Sequence, residues 1–246
     1  MYPDKQSIQK LEKKVSDHVI WSREYLLKLI PNDDQVIHHS WLRFANHMPN
    51  KEDEQNKYRV TATGVDLAIS EKETADYTAA VTASVFGHGE EMKIYIHPHP
   101  LNKRLNFPAQ RQELMQLSEQ LEHATFYIED VGYQAALIQQ LPQEGMYNVE
   151  GVKIGTVDKR SRLAMTSHYI KNGTVIFPRH GAEELISQLT GFGVEKHDDL
   201  ADAFSLLILK LVEEYLAMSS GSPFPTRTRR LDDEKPFTAG FLDRVW

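Results

Sequence analysis

Arg59-Val60-Thr61-Ala62-Thr63-Gly64-Val65-Asp66-Leu67-Ala68-Ile69 is the stretch on which the fold turns. It is rich in β-branched and small apolar residues and reads as a strand. Tyr77 to Phe86 and Met92 to His97 have the same character and are set off by polar or Gly-containing turns, so the three segments together predict an antiparallel meander. Beyond them the pattern alternates. A helix is expected over Phe107 to Leu121, where Leu114, Leu117 and Leu121 recur at helical spacing. A buried strand follows over Ala124 to Ile128, then a helix over Gln134 to Leu141 stopped by Pro142. Val149 to Ile154 reads as a strand, Lys159 to Lys171 as a helix closed by Asn172-Gly173, and Val175 to Phe177 as a strand ended by Pro178. Helices over Ala182 to Thr190 and Asp198 to Ala217 complete the order. The class is α/β: three antiparallel strands, then parallel ones, in a mixed sheet flanked by helices.

Outward from this block the composition changes. Residues 1–56 are polar, with an apolar stripe of Val15, Val19, Tyr25, Leu26, Leu29 and Ile30 before Pro31, and a second short helix is expected to hold Trp41, Leu42 and Phe44. This reads as a helical appendage on a main domain spanning residues 57–218. Residues 219–246 carry Ser220, Gly221, Pro223 and Pro225 and then Arg227, Arg229 and Arg230, a linker-and-tail composition.

Bulk properties exclude several classes. The chain has 246 residues, 41% of them hydrophobic and 26% charged, which is a globular balance and neither collagenous nor wholly disordered. No apolar run approaches the ~18 residues of a membrane span, and the polar Met1 to Lys14 segment lacks the apolar region of a secretory signal. With no cysteine, thiol nucleophiles, disulfides and Cys-based zinc sites are excluded together. The 28 Lys and Arg against 35 Asp and Glu leave a net charge of -7, so a polyanion could bind only through a local basic patch or through recruited cations. No G-x-x-x-x-G-K-[ST] phosphate loop occurs.

The acids are placed unusually. Asp66 interrupts an apolar strand, where a buried carboxylate costs several kcal/mol (roughly) unless it is compensated; an outward-facing position is the plain alternative. Glu129 ends the strand Thr125-Phe126-Tyr127-Ile128, at the kind of strand end where open α/β sheets gather ligands, while Asp130 reads as a cap for the next helix. His197-Asp198-Asp199-Leu200-Ala201-Asp202-Ala203-Phe204 opens a helix that is apolar almost all round, hence buried. Asp198 and Asp199 could serve as caps; Asp202 lies inside the helix, on one face with each of them, and capping does not account for it. Hard divalent cations such as Mg²⁺ take carboxylate oxygens, and a pair of ions about 4 Å apart can clamp the attacking and leaving oxygens of a phosphoryl displacement.

Gly64-Val65-Asp66-Leu67-Ala68, Tyr127-Ile128-Glu129 and His197-Asp198-Asp199-Leu200-Ala201-Asp202-Ala203 resemble the C-terminal nuclease domain of the phage terminase large subunit, over roughly Tyr58 to Leu216. Val157 to Leu163 and Asn172 to Pro178 resemble the family's stretch between its second and third acids. The resemblance implies an RNase H-like fold and a metal-dependent endonuclease that holds two Mg²⁺ or Mn²⁺ ions and cuts concatemeric double-stranded DNA. By position it implies Asp66, Glu129 and an acid of the final helix, Asp198, Asp199 or Asp202, as metal ligands; Asp199 and Asp202 are taken as the catalytic pair, with Asp198 as a further ligand, cap or outer partner. His197 would orient a carboxylate or simply sit at the helix start. Lys159, Arg160 and Arg162 put three cations at one helix start, where they would contact DNA phosphates or form a solvated face.

The family's large subunit also carries an N-terminal ATPase, whereas only Met1 to about Asn56 precedes the nuclease-like part here; Trp21 to Leu29 and Trp41 to Phe44 resemble the connector between the two. The chain is therefore expected to be a truncated, split or excised nuclease half that cuts without pumping. Implied partners are DNA, the terminase ATPase, the small terminase subunit and the portal, in the host cytoplasm and away from membranes. Two other expectations are a non-catalytic docking module of the packaging motor and a nuclease acting on branched DNA.

Overall fold

The computed structural model describes residues 35–67, 77–132, 134–195 and 197–216, and the apolar stripe before Pro31 and the 219–246 tail lie outside them. Among the described residues, eight strands form one mixed sheet. The meander of the sequence reading is β2 (Tyr58–Asp66), β3 (Thr78–Phe86) and β4 (Lys93–Ile96). Both pairings are antiparallel, with Asp66 opposite Ala79 and Ala83 opposite Ile96. β6 (Thr125–Glu129) adds in parallel to β2, and β7 (Val149–Val152) adds in parallel to β6. On the other side β8 (Val175–Pro178) lies parallel to β4. Helices α1 (Phe107–Gln120), α2 (Gln134–Gln143), α3 (Lys159–Lys171), α4 (Glu183–Thr190) and α5 (Asp199–Leu211) pack on the sheet, the mixed α/β arrangement expected of an RNase H-like fold.

Three local expectations are corrected. Trp41, Leu42 and Phe44 do not share a helix: His39–Trp41 is a single 3-10 turn, and Phe44–Ala45 forms β1, parallel to β8 with Phe44 opposite Phe177. The tilted Phe44 and Phe177 rings lie 6.5 Å apart, so side-chain packing across the sheet edge outweighs local helical spacing. β5 (Leu101–Lys103), which pairs with the start of β3, carries no period-two signal in its three residues. The last helix leaves α geometry after Leu211 and continues as a π turn over Val212–Leu216, where the described residues stop; Ala217 of the expected helix lies outside them.

Strand alternation sorts the sheet into two faces. Val65, Leu67, Phe126 and Ile128 pack with Leu114 of α1 and with Leu137 and Leu141 of α2. Ala62 and Tyr127 face the other way, onto Leu163 and Ile170 of α3 and onto Leu200, Ala203, Phe204 and Leu207 of α5. Phe204 stacks on Phe177 at 5.9 Å. Leu200, Phe204, Leu206, Leu207, Ile208 and Leu211 are all buried. Each is worth about 1.5–3 kcal/mol against exposure before chain entropy is counted, enough in total to hold the polar start of α5 against the sheet.

α5 can approach this closely because position 64 is glycine. A Cβ on Gly64 would stand 2.3 Å from the Ala203 carbonyl oxygen and 2.7 Å from Leu207 Cβ. The missing side chain lets the helix backbone lie directly on β2.

Candidate metal centre

Asp66 shares the α5-facing side of β2 with Ala62 and Gly64, since residues two apart point the same way. By the same rule Glu129 follows Tyr127 onto that face of β6. β2 and β6 run parallel with Val65 opposite Ile128, so Asp66 and Glu129 end neighbouring strands side by side, both partly open to solvent. The first turn of α5 lies over them and supplies Asp199 and Asp202, each only 5% exposed. A helix N-terminus carries positive potential and favours carboxylates there. Its Leu200 amide is satisfied by Gln188 Oε1 of α4 at 2.8 Å, a partner that no sequence motif announces.

Two cations enter this cluster from α3. Asp158 caps that helix, its Oδ1 accepting from the Ser161 amide at 3.0 Å, and so fixes the turn that carries Lys159 and Arg162. Arg162 is buried: its Nη2 donates to Asp202 Oδ1 at 3.0 Å and its Nη1 lies 3.7 Å from Glu129 Oε2. Lys159 Nζ sits 2.5 Å from Asp202 Oδ2 and 3.0 Å from Asp198 Oδ1. Of the three cations Lys159, Arg160 and Arg162, expected at one phosphate-contacting or solvated face, only Arg162 lies buried. Arg162 is paired beneath the surface, Lys159 is exposed but paired with Asp198 and Asp202, and Arg160 is exposed near the Gly193 turn.

Nor do the expected caps hold. Asp198 flanks α5 without a side-chain capping bond and pairs with Lys159 instead. Asp130 stands four residues ahead of the Gln134 start of α2, too early to be its cap. His197 packs edge-on against Tyr77, with ring centroids 4.8 Å apart, and its Nδ1 lies 3.9 Å from Asp199 Oδ2, beyond hydrogen-bond distance.

The charges shape each other. Burial, then the nearby charges of Asp202 and Asp199, push the Asp66 carboxyl up to about 8, with Lys159 opposing and Glu129 adding to the rise. Burial also raises Asp202 above the ordinary carboxylate range, against the pull of Lys159. Burial works to lower the Lys159 ammonium, but hydrogen bonds and charge from Asp202 and Asp198 outweigh it and raise its pKa.

Five carboxylates, Asp66, Glu129, Asp198, Asp199 and Asp202, thus gather around two side-chain cations. An all-oxygen set with surplus negative charge suits hard dications such as Mg²⁺ and Mn²⁺. Among the described residues no three acidic or imidazole groups are already spaced to ligate one ion. Lys159 and Arg162 engage Asp202 on both of its oxygens.

A family description, Terminase RNaseH-like domain, matches residues 63–211. The magnesium-bound large terminase nuclease of the thermophilic phage G20c is similar in fold at 17% identity and a TM-score of 0.52, over 73% of this chain and 99% of that one. The zinc-bound form of that nuclease gives 19% identity and 0.47, over 72% and 95%. The manganese-bound large terminase nuclease domain of bacteriophage SPP1 gives 11% and 0.47, over 72% and 99%. Among curated proteins no match was found. The family match runs from the second half of β2 to the end of α5 and takes in every carboxylate of the cluster, and the chain belongs to the family of terminase RNaseH-like domains.

Proposed function

We propose that this chain is a divalent-metal-dependent endonuclease of a phage DNA-packaging terminase, cutting concatemeric double-stranded DNA by phosphodiester hydrolysis with two Mg²⁺ or Mn²⁺ ions. The observation that carries the reading is the meeting of Asp66, Glu129, Asp199 and Asp202, from two strands and a helix, at one end of the sheet, where burial first and the neighbouring carboxylates second push Asp66 up to about 8. Membership of the terminase family and the metals named with the G20c and SPP1 nucleases support it.

Asp66, Glu129, Asp199 and Asp202 would hold the ions, with Asp198 as an outer partner. Bound there, dications would activate a water and stabilise the leaving 3′ oxygen. The protein's own groups do the rest. Burial of the α5 face fixes the carboxylates on rigid elements, Arg162 ties Glu129 to Asp202, and Arg160 at the rim of the site contacts the phosphate backbone. Backbone contacts of this kind give weak sequence preference and steep salt dependence. DNA, the terminase ATPase, the small subunit and the portal are the partners this reading implies, in the host cytoplasm. Among the described residues no helix is long and apolar enough to cross a membrane.

Plasmid nicking in Mn²⁺ or Mg²⁺, with and without chelator, tests the proposal. Wild type is expected to nick only with metal, and Asp66→Ala to lose activity. Equal nicking by both proteins would assign the activity to a contaminant. Intact DNA binding with no heat on titrating millimolar Mn²⁺ would instead support a docking module.

A further inference from the structure

We infer that Arg162 is a positioning residue that holds Glu129 and Asp202 in register, and that Lys159 is the exchangeable counter-cation of the same cluster. The inference rests on the metal-site reading above and assigns the two cations opposite effects on it.

Arg162 projects from α3 to carboxylates on two other elements, Glu129 on β6 and Asp202 on α5. Its side chain is 8% exposed. A planar guanidinium offers separate donors in fixed geometry, so one group spans two acids that would otherwise repel each other; a lysine ammonium is a single point on a flexible stem. Fold stability does not account for the placement. Replacing a buried ion pair by apolar residues is often neutral or stabilising, and Arg162 Nε is buried with no hydrogen-bond partner. What the guanidinium provides here is a fixed separation between two carboxylates.

Lys159 differs in each respect. Its side chain is 52% exposed and its ammonium reaches Asp198 and Asp202 from the rim. An ion pair half in water is worth little, so it can open at low cost. The two cations divide Asp202 by oxygen: Oδ1 takes Arg162 and Oδ2 takes Lys159. Opening of the Lys159 pair would free the Asp202 Oδ2 oxygen for a dication, while the Arg162 contact on Oδ1 would stay and keep the carboxylate aimed.

Removing Lys159 therefore strengthens metal binding, and replacing Arg162 weakens it even when the charge is kept. The test is calorimetric titration of Mn²⁺ into chelator-treated wild type, Lys159→Met and Arg162→Lys, with the Mn²⁺-induced rise in melting temperature as a second readout independent of activity. Lys159→Met is expected to tighten Mn²⁺ binding about two- to fivefold, in line with one partly exposed ion pair no longer having to open. Arg162→Lys is expected to weaken it about tenfold or more, as loss of an outer-shell partner does. The melting shift should grow in the first variant and shrink in the second. Wild-type affinity in Arg162→Lys would reduce Arg162 to a charge, and weaker or unchanged binding in Lys159→Met would remove its role as competitor; either result overturns the inference while the metal site stands. Absence of any Mn²⁺ heat and melting shift in wild type would sink the metal-site reading and this inference with it. Lys159 lies at the surface, so its variant reports even if Arg162→Lys folds poorly.

Discussion

Gly64→Ala is the smallest perturbation that should disable the whole site. The new Cβ would meet the Ala203 carbonyl oxygen at 2.3 Å, Leu207 Cβ at 2.7 Å and the Leu207 amide nitrogen at 3.0 Å. Two of these atoms are backbone, so no side chain can rotate out of the way, and α5 must retreat from β2 by about 1 Å to recover ordinary van der Waals spacing. Overpacking of this kind costs about 1–3 kcal/mol, partly offset by the ~0.5–1 kcal/mol that alanine regains over glycine inside an element. In a domain of this size the net corresponds to a fall of up to roughly 10 °C in melting temperature. The functional loss should be larger than the thermal one, because Asp199 and Asp202 ride on the displaced turn and a ~1 Å misplacement can cost about a hundredfold in rate. The assay pairs thermal melts with Mn²⁺-dependent plasmid nicking. Gly155→Ala serves as control, since no atom lies within 4 Å of its would-be Cβ. If Gly64→Ala melts and nicks like wild type and like the control, the close seating of α5 on β2 is not what holds the acids together.

Two further expectations concern the same framework. Asp66 is pushed up to about 8 in the folded chain, well above an unfolded carboxylate, so the folded state binds the extra proton between roughly pH 4 and 8 and chelated protein loses stability as pH rises through that window. The slope from this group is at most about 1.4 kcal/mol per pH unit, discounted by its partial exposure, and melts in chelator from pH 5 to 7.5 should show Asp66→Asn with a shallower decline; a melting temperature that climbs with pH in wild type would refute the assignment. On the far side of the site the buried Tyr127 hydroxyl donates to Glu214 at 2.7 Å, and Tyr127→Phe should cost about 1–3 kcal/mol in urea unfolding, because a charge-assisted hydrogen bond into the π turn is lost; an unchanged midpoint would mean that Lys210, 3.3 Å from Glu214, suffices alone.

The sequence by itself determined most of the elements, though not β1, β5 or the π turn. β-Branched, small apolar and aromatic residues in Arg59 to Ile69 and Tyr77 to Phe86, set off by turns, specified the meander, and the all-round apolar helix after Asp202 announced its own burial. Asp66, Glu129 and Asp202 stood out because carboxylates in apolar surroundings violate a local rule, and such a violation is readable from neighbours in the chain. Only the tertiary structure decided what those carboxylates touch. A lysine and an arginine at the start of α3 have the same local signature whether they face solvent, DNA or a buried acid, and the acids they meet lie 33 to 43 positions away along the chain. β1 likewise exists only because the β8 edge offers it hydrogen-bonding partners, and Gly64 became legible as a seat for α5 only once the Ala203 carbonyl was seen above it. Local chemistry is written in the order of residues, whereas the sign and strength of a charge's environment depend on which distant surfaces the chain folds together.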